Sequence, residues 1–334
     1  LRAGVSAFGF GGNNAHLIVE EPRKIIRTMP AESATLAPAT LATPTLHVPI
    51  AIVGVGIAAA GAEDRATFLD ALLTGVPCLD TAGDGTMAAV TLAIKSQKFP
   101  PNDLKKALGQ QLAILQVADE VLADVQSLPS ATTGVYIGMG TDPEAARFGI
   151  RWRLATMGAA WGQNHEWIAE ARDSVSTPLD AAGVMGTMPN IVANRLNSQY
   201  DLTGPGFTVS SEERSGVDAL HLAARALRHG EIDAALVGAS DLSCDPVHRA
   251  AAKQLLSADR QIPGDAAVML ILKRLDDAER DGDTIYSLIG ETESDLADTD
   301  LADTDLADTD LADTVRGAPS LLLGLGEDAV SLTH

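Results

Sequence analysis

The residues best suited to chemistry form a short polar run, Ser210-Ser211-Glu212-Glu213. It follows a turn, Gly204-Pro205-Gly206, and a brief apolar strand, and it precedes a helical pattern. Unpaired N–H groups at the start of a helix favour an anion, so a carboxylate is electrostatically stable there. Ser210 followed three residues later by Glu213 also matches a capping box, in which each side chain satisfies one free amide. We expect the helix to start at Ser210 or Ser211.

The elements that position this run are predicted to be a strand, a buried helix and a second strand. Apolar residues follow the three-and-four spacing of a helix with one buried face, at Val217, Leu220, Ala223, Ala224 and Leu227. That helix should end near Gly230. The segment 234–238 is short, apolar and bounded by glycine, as expected for a strand covered on both faces. Aromatic residues make up only 4% of the chain, which favours an α/β interior of alanine, leucine and valine.

Further strands and helices extend this α/β pattern. Segments 50–56 and 134–138 are predicted to be buried strands. The first is followed by a helix with apolar residues at Phe68, Leu69, Leu72 and Leu73, and residues 102–128 are predicted to form one long helix. The glycines after the first strand lack the G-x-G-x-x-G spacing, which argues against dinucleotide binding.

Metal and disulfide chemistry are disfavoured by the cysteine and histidine positions. Cys78 and Cys244 are too few and too far apart for a disulfide framework or a zinc site, and we expect both to be small apolar residues. The histidines lack the spacing of a zinc site or a hydrolytic triad. His221 falls on the helix after the polar run, and its role stays open. No directly bound cofactor is predicted.

Charge and composition limit the partners and the organisation. A net charge of −21 argues against nucleic acid or an anionic membrane. Residues 23–49 are rich in alanine, threonine and proline and read as a linker. Residues 295–314 repeat DLADT and are expected to be a disordered acidic spacer, with weak cation binding as the alternative. No signal peptide is evident at the first residues given, and no apolar run is long enough to span a membrane, so we expect a cytoplasmic location.

The polar run carries a family resemblance. The segment GPGFTVSSEERSGVDAL, residues 204–220, resembles the GPSxTVDTACSSSLVAL run of β-ketoacyl synthases, which places Glu213 where that family has its nucleophilic cysteine. The resemblance implies a thiolase-like fold with αβαβα layers, incomplete in this chain. A carboxylate does not form the acyl thioester that condensation requires. The resemblance therefore implies a condensation-incompetent unit, with Gly204, Pro205, Ser211 and Glu212 shaping the turn around Glu213.

A second resemblance lies at the beginning of the chain. The GFGGNNAH segment, which includes Phe10, Gly11 and Gly12, resembles the GFGGTNAH element near the carboxyl end of a ketosynthase, followed by a core strand at residues 15–19. This carboxyl-terminal element comes first in the chain, before any amino-terminal element of a ketosynthase. We therefore expect four regions. These are the end of a preceding ketosynthase at 1–22, the linker at 23–49, the first part of a ketosynthase-like domain at 50–290, and the acidic repeat with an unassigned tail at 291–334.

The type of ketosynthase-like unit follows from residues 188–220. MPNIVANRLNSQYDLTGPGFTVSSEERSGVDAL resembles the chain-length-factor domain of polyunsaturated-fatty-acid synthases, where two glutamates also stand at the lost nucleophile. The resemblance implies pairing with an active ketosynthase, shaping of its acyl pocket, and substrates carried on the phosphopantetheine of an acyl carrier protein. A malonyl decarboxylase of the loading type and a purely structural dimer scaffold are the alternatives.

Two features of the region between the predicted strand at 134–138 and the polar run have open interpretations. Arg147, Arg151 and Arg153 would suit an acidic carrier protein, although solvated helix charges are the simpler interpretation. Trp161, His165 and Trp167 would suit an acyl tunnel, with a core or interface position as the more common role of such residues.

Overall fold

The computed structural model describes residues 2–8, 14–20, 48–79, 85–258, 261, 263–289, 322–323 and 330–331. The chain divides into two units, Leu1–His47 and Val48–His334. Residues 23–47 of the linker predicted at 23–49, and the DLADT repeat, lie outside the described residues.

The first unit is an antiparallel hairpin of β1 (Arg2–Phe8) and β2 (Asn14–Glu20). The strand predicted at 15–19 is confirmed. Its side chains are not buried among the described residues, since Leu17, Ile18 and Val19 are exposed, as is Val5 opposite Leu17. Successive residues of a strand face opposite sides, so both faces of the hairpin present apolar side chains.

The second unit is built on a six-stranded mixed sheet. Its strands are β3 (Ile50–Ala59), β4 (Thr133–Met139), β5 (Gly206–Val209), β6 (Ala234–Leu242), β7 (Asp265–Arg274) and β8 (Ser287–Ile289). They lie in the order β5-β4-β6-β7-β3-β8. β4 runs parallel to β5 and β6, and the other neighbouring pairs are antiparallel. The predicted strands at 50–56, 134–138 and 234–238 are confirmed, and each is longer than predicted.

Ten helices accompany these strands within the described residues. They are α1 (Arg65–Thr74), α2 (Pro101–Leu104), α3 (Gly109–Val121), α4 (Ala146–Ala160), α5 (His165–Val175), α6 (Ala181–Thr187), α7 (Ile191–Tyr200), α8 (Ser215–Arg228), α9 (Pro246–Leu255) and α10 (Leu275–Asp281). A short pair, β9 (Leu322–Leu323) and β10 (Val330–Ser331), follows. None of these helices is long and apolar enough to span a bilayer, among the residues that the structure describes.

The sheet is covered on both faces, which confirms the α/β class. Alternate strand residues point to opposite sides: Val135 and Ile137 of β4 join the core under α3 and α7, whereas Tyr136 joins the core under α8. Burial on both faces explains why the sheet strands read as continuous apolar runs rather than as alternating patterns.

The prediction of one long helix over 102–128 is wrong. The helix is interrupted between α2 and α3, where Leu108 is extended and its N–H donates to the carbonyl of Gly186 at 2.9 Å. Leu104 and Leu108 remain buried on either side of the break. The spacing of the leucines thus predicted their burial correctly. The helix is interrupted because the N–H of Leu108 bonds to a distant segment and not to a carbonyl of the same helix.

Candidate functional site

The polar run forms a turn rather than the beginning of a helix. α8 starts at Ser215, four to five residues later than predicted, and its N-cap, Arg214, makes no side-chain capping bond. The predicted capping box of Ser210 and Glu213 is therefore wrong. Ser215 takes over part of that role, since its Oγ accepts from the N–H of Ser211 at 2.9 Å and donates to the carbonyl of Glu212 at 2.6 Å.

The turn carries backbone strain at Glu212, which has a φ of +52°. This left-handed conformation costs a non-glycine residue about 1–2 kcal/mol. Glu212 and Glu213 are both exposed, so neither carboxylate is desolvated by the described residues. The turn thus holds two acidic side chains beside the amino-terminal end of α8, where the helix dipole favours negative charge.

Glycine at position 212 should relieve this strain. We expect Glu212→Gly to stabilise the turn by up to about 1 kcal/mol. The substitution removes the cost of the left-handed conformation, which exceeds the conformational entropy that glycine loses on folding. Glu213→Gly, the matched control with ordinary φ, should lose about 0.5–1 kcal/mol. Hydrogen exchange of the α8 amides measures both changes. Equal losses in the two variants would contradict the assignment of strain to Glu212.

The turn before β5 is held against β4. A Cβ added to Gly204 would lie 2.2 Å from the carbonyl oxygen of Thr133, so this close approach requires glycine. The carbonyl of Pro205 accepts from the N–H of Val135 at 2.8 Å, which sets the parallel register of β4 and β5. Of the residues predicted for the site, Gly204, Pro205, Ser211, Glu212 and Glu213 therefore belong to one continuous strand, turn and helix unit.

One further residue of this unit was missed by the sequence reasoning. A Cβ on Gly138 of β4 would lie 2.4 Å from the backbone of Ser215 and Gly216, so this glycine allows the first turn of α8 to rest on the sheet. The only available signal was a glycine inside an otherwise apolar strand, which marks a close backbone approach.

The helix after the turn packs through small residues. Ala219, Ala223 and Ala224 are buried against the sheet, and Leu227 closes the buried face. The helix ends at Arg228, and Gly230 follows in the left-handed conformation, so the predicted end is confirmed. His221 is half-buried on α8, and the part of the chain that the structure describes gives no hydrogen bond that would define its role.

The remaining predicted site residues lie elsewhere. Phe10, Gly11 and Gly12 fall outside the described residues. Cys78 is half-buried and Cys244 is buried, both are free, and burial raises the pKa of each thiol. Such thiols are poor nucleophiles. Within the described part of the chain, no group of His, Cys, Asp and Glu is arranged to hold a metal ion.

The arginines of α4 are largely engaged within the protein. Arg147 forms an ion pair with Glu144 at 3.0 Å, and Arg151 forms one with Asp173 at 2.8 Å while donating to the carbonyls of Arg172 and Ser176. Arg153 is exposed, and no ion pair involves it among the described residues. An acidic carrier protein would therefore find one free arginine here rather than three.

A mixed sheet with helices on both faces, and a strand–turn–helix unit at its parallel edge, defines a thiolase-like α/β domain. The family model for the β-ketoacyl synthase amino-terminal domain matches residues 47–278, more than half of the chain. The chain belongs to the β-ketoacyl synthase family.

Relatives and solved structures agree with this assignment. Highly reducing polyketide synthase gloL of Glarea lozoyensis is 33% identical over 160 residues, which are 43% of this chain and 6% of that protein. The ketosynthase from module 6 of the bacillaene synthase of Bacillus subtilis 168 is 25% identical with a TM-score of 0.53, covering 72% of this chain and 42% of that one. The PfaC ketosynthase–chain length factor has the same fold at 22% identity, with a TM-score of 0.59, covering 86% and 34%. The chain thus spans less than half the length of each of these proteins.

Proposed function

We propose that this chain is a segment of a fatty-acid or polyketide multienzyme in which a ketosynthase-like unit has lost condensation chemistry and acts as a chain-length factor. The observation that carries the proposal is Glu213, which is exposed in the turn between β5 and α8. The sequence resemblance aligns this residue with the family's nucleophilic cysteine. A carboxylate does not become the thioester-forming nucleophile that the condensation reaction uses.

The proposed partner is an active ketosynthase that pairs along a sheet edge. β5 is the terminal strand on one side of the sheet that the described residues form, and an edge strand can extend its sheet by pairing with another chain. Phe207 of this strand is partly exposed and packs edge-on against Tyr136, with ring centroids 5.0 Å apart. An exposed aromatic residue on this edge strand supports pairing through it.

The proposed substrates are acyl and malonyl groups on the phosphopantetheine of an acyl carrier protein, with no cofactor bound directly by this segment. One structural neighbour is described as a type II polyketide synthase acyl carrier protein in complex with its ketosynthase. We extend that partner to this family member as part of the proposal. We also propose a cytoplasmic location, which is the expectation from the sequence.

The proposed organisation has four regions: the end of a preceding ketosynthase at 1–22, a linker, the ketosynthase-like domain at 50–290, and an acidic spacer with a tail. The β1–β2 hairpin supports the first region, because apolar residues on both faces suit a strand pair inside a larger sheet. Sequencing the transcript beyond both ends tests it. We expect an upstream ketosynthase with an intact cysteine and a downstream glycine-rich element.

Product length is the direct test of the chain-length role. Val217 is half-buried in the first turn of α8, four residues after Glu213. We propose that the side of α8 next to Glu213 lines the acyl pocket. On that proposal, Val217→Phe in the reconstituted synthase should shorten the dominant product by at least one extension unit, because a larger side chain would reduce the space for the acyl chain. Leu73→Phe, on the exposed side of α1, is the matched control and should leave product length unchanged. Unchanged length in both variants would indicate a purely structural scaffold.

Decarboxylation separates the proposal from the loading-type alternative. A glutamate repels the malonyl carboxylate, so we expect no release of carbon dioxide from a malonyl-loaded carrier above background. Steady release that Glu213→Ala abolishes would replace the chain-length role with a decarboxylase.

A further inference from the structure

The edge of β3 that faces away from β7, here called the outer edge, is closed mainly by side chains. On this edge β8 pairs only with residues 50–52, and no other strand of the described sheet lies there. The N–H of Val55 donates instead to Asp124 at 3.1 Å, and the N–H of Ile57 donates to Glu120 at 2.9 Å. Carboxylates of α3 and of the turn after it thus take the place of a neighbouring strand.

One arginine joins these carboxylates to helix α1. Arg65, the first residue of α1, donates from Nη1 to the carbonyl of Val55 at 2.8 Å and from Nη2 to Asp124 at 3.0 Å. Its backbone N–H donates to Glu120 at 2.8 Å, and its guanidinium lies 5.3 Å from the ring centre of Tyr286. The side chain of Asp124 is only 10% exposed. Hydrogen bonds between ionised groups are strong, and more so where water is partly excluded.

Helix α1 depends on this contact because its apolar packing is weak. None of its ten residues is buried. Phe68, Leu69 and Leu72 are half-buried, and Leu73 is 71% exposed. An element with few buried apolar contacts opens at a lower free-energy cost than global unfolding. The polar contacts of Arg65 are therefore a large share of what holds α1 to the sheet.

These contacts give Arg65 a conformational role. We propose that Arg65 is a latch that holds α1 against the outer edge of β3, and that α1 opens as a unit when the latch is broken, while the rest of the sheet stays folded. Opening removes the donor of the Val55 carbonyl and the counter-charge of Asp124. The outer edge then offers an unpaired carbonyl to another strand, so the latch keeps this edge closed. This role is independent of the proposed chain-length function.

Hydrogen exchange of the natural polypeptide tests the inference. In Arg65→Met, the amides of residues 68–74 should exchange at least about tenfold faster, whereas the α8 and β7 amides should change by less than about twofold. Arg225→Met, which removes an exposed arginine of α8, is the matched control and should leave α1 exchange unchanged. Equal acceleration of α1, α8 and β7 would show that Arg65 contributes only to global stability. That result, or unchanged exchange of α1, would overturn the inference.

A milder variant tests the latch if Arg65→Met does not fold. Asp124→Asn keeps an acceptor for the N–H of Val55 but removes the charge opposite Arg65, so α1 exchange should rise by about threefold. Cys78, which is half-buried four residues after α1, provides a second readout, and the buried Cys244 is its internal control. A maleimide should label Cys78 faster in this variant and Cys244 at an unchanged rate. Equal acceleration of both thiols, or of neither, would contradict a local opening of α1.

Discussion

Replacing Lys273 by alanine is expected to lower the free energy of unfolding of the sheet domain by about 3–5 kcal/mol. The Lys273 side chain is 3% exposed at the end of β7 and forms ion pairs with Asp283 at 2.6 Å and Asp281 at 2.9 Å. Asp283 is itself buried. Removing the lysine leaves that carboxylate without its counter-charge in a region of low dielectric constant, which explains the size of the effect.

The exposed neighbour Arg280 provides the control. It contacts the same Asp281 but its side chain is 66% exposed, so Arg280→Ala should cost less than about 1 kcal/mol. Hydrogen exchange of the β7 amides measures both variants within the natural polypeptide. Similar losses in the two variants would show that burial does not set the strength of this network.

The ion pairs of Lys273 with Asp283 and Asp281 also predict that the stability of the sheet domain depends on pH. Burial would lower the pKa of Lys273, but hydrogen bonds from its ammonium to Asp283 and Asp281 outweigh that effect and raise it. A raised lysine pKa gives stability that is fully present below the unfolded value of about 10.4 and is lost as the pH rises through the folded value. Stability of β7 should therefore fall at strongly alkaline pH. This fall should be smaller in Lys273→Met, where only the tyrosines with raised pKa values, such as Tyr136 and Tyr286, still contribute to it.

Gly138→Ala is expected to destabilise the candidate site by about 3 kcal/mol, at the upper end of the usual cost of overpacking. The added methyl group would meet the backbone of Ser215 and Gly216 at 2.4 Å, and backbone atoms do not move aside as a flexible side chain does. α8 would have to lift from β4, which would displace the turn carrying Glu212 and Glu213.

Gly140→Ala is a control two residues away. A Cβ there has no neighbour within 4 Å, and its φ is not in the left-handed region, so the change should stay within about 0.5 kcal/mol. Exchange rates of the first α8 amides and of the β4 amides report the effect. If Gly138→Ala leaves the α8 amides as protected as in Gly140→Ala, the close contact of helix and sheet is not required.

Several elements were predictable because their signals are local. The strands at 134–138 and 234–238 are apolar runs with both faces buried, and α8 shows its buried face in the spacing of its alanines and leucines. The family resemblance also depends on contiguous segments, so the β-ketoacyl synthase family could be named without coordinates.

Local patterns failed where a distant segment competes for the same backbone groups. Leu108 follows the helical spacing, yet its N–H bonds to Gly186, which divides the predicted helix. Ser210 and Glu213 match a capping box, yet Ser215 bonds within the turn and α8 starts later. In each case the sequence pattern predicted a possible local hydrogen bond. The hydrogen bond that forms instead depends on which residues the fold brings together.

The sequence by itself determined the α/β class and the strand–turn–helix unit that carries Glu213, because each depends on residue type and short-range spacing. Only the tertiary structure decided that Gly138 supports α8, that Lys273 is buried between two aspartates, and that all three tryptophans face outward. These properties depend on which distant segments of the chain lie next to one another and which surfaces they leave uncovered. The local spacing of residues does not determine either.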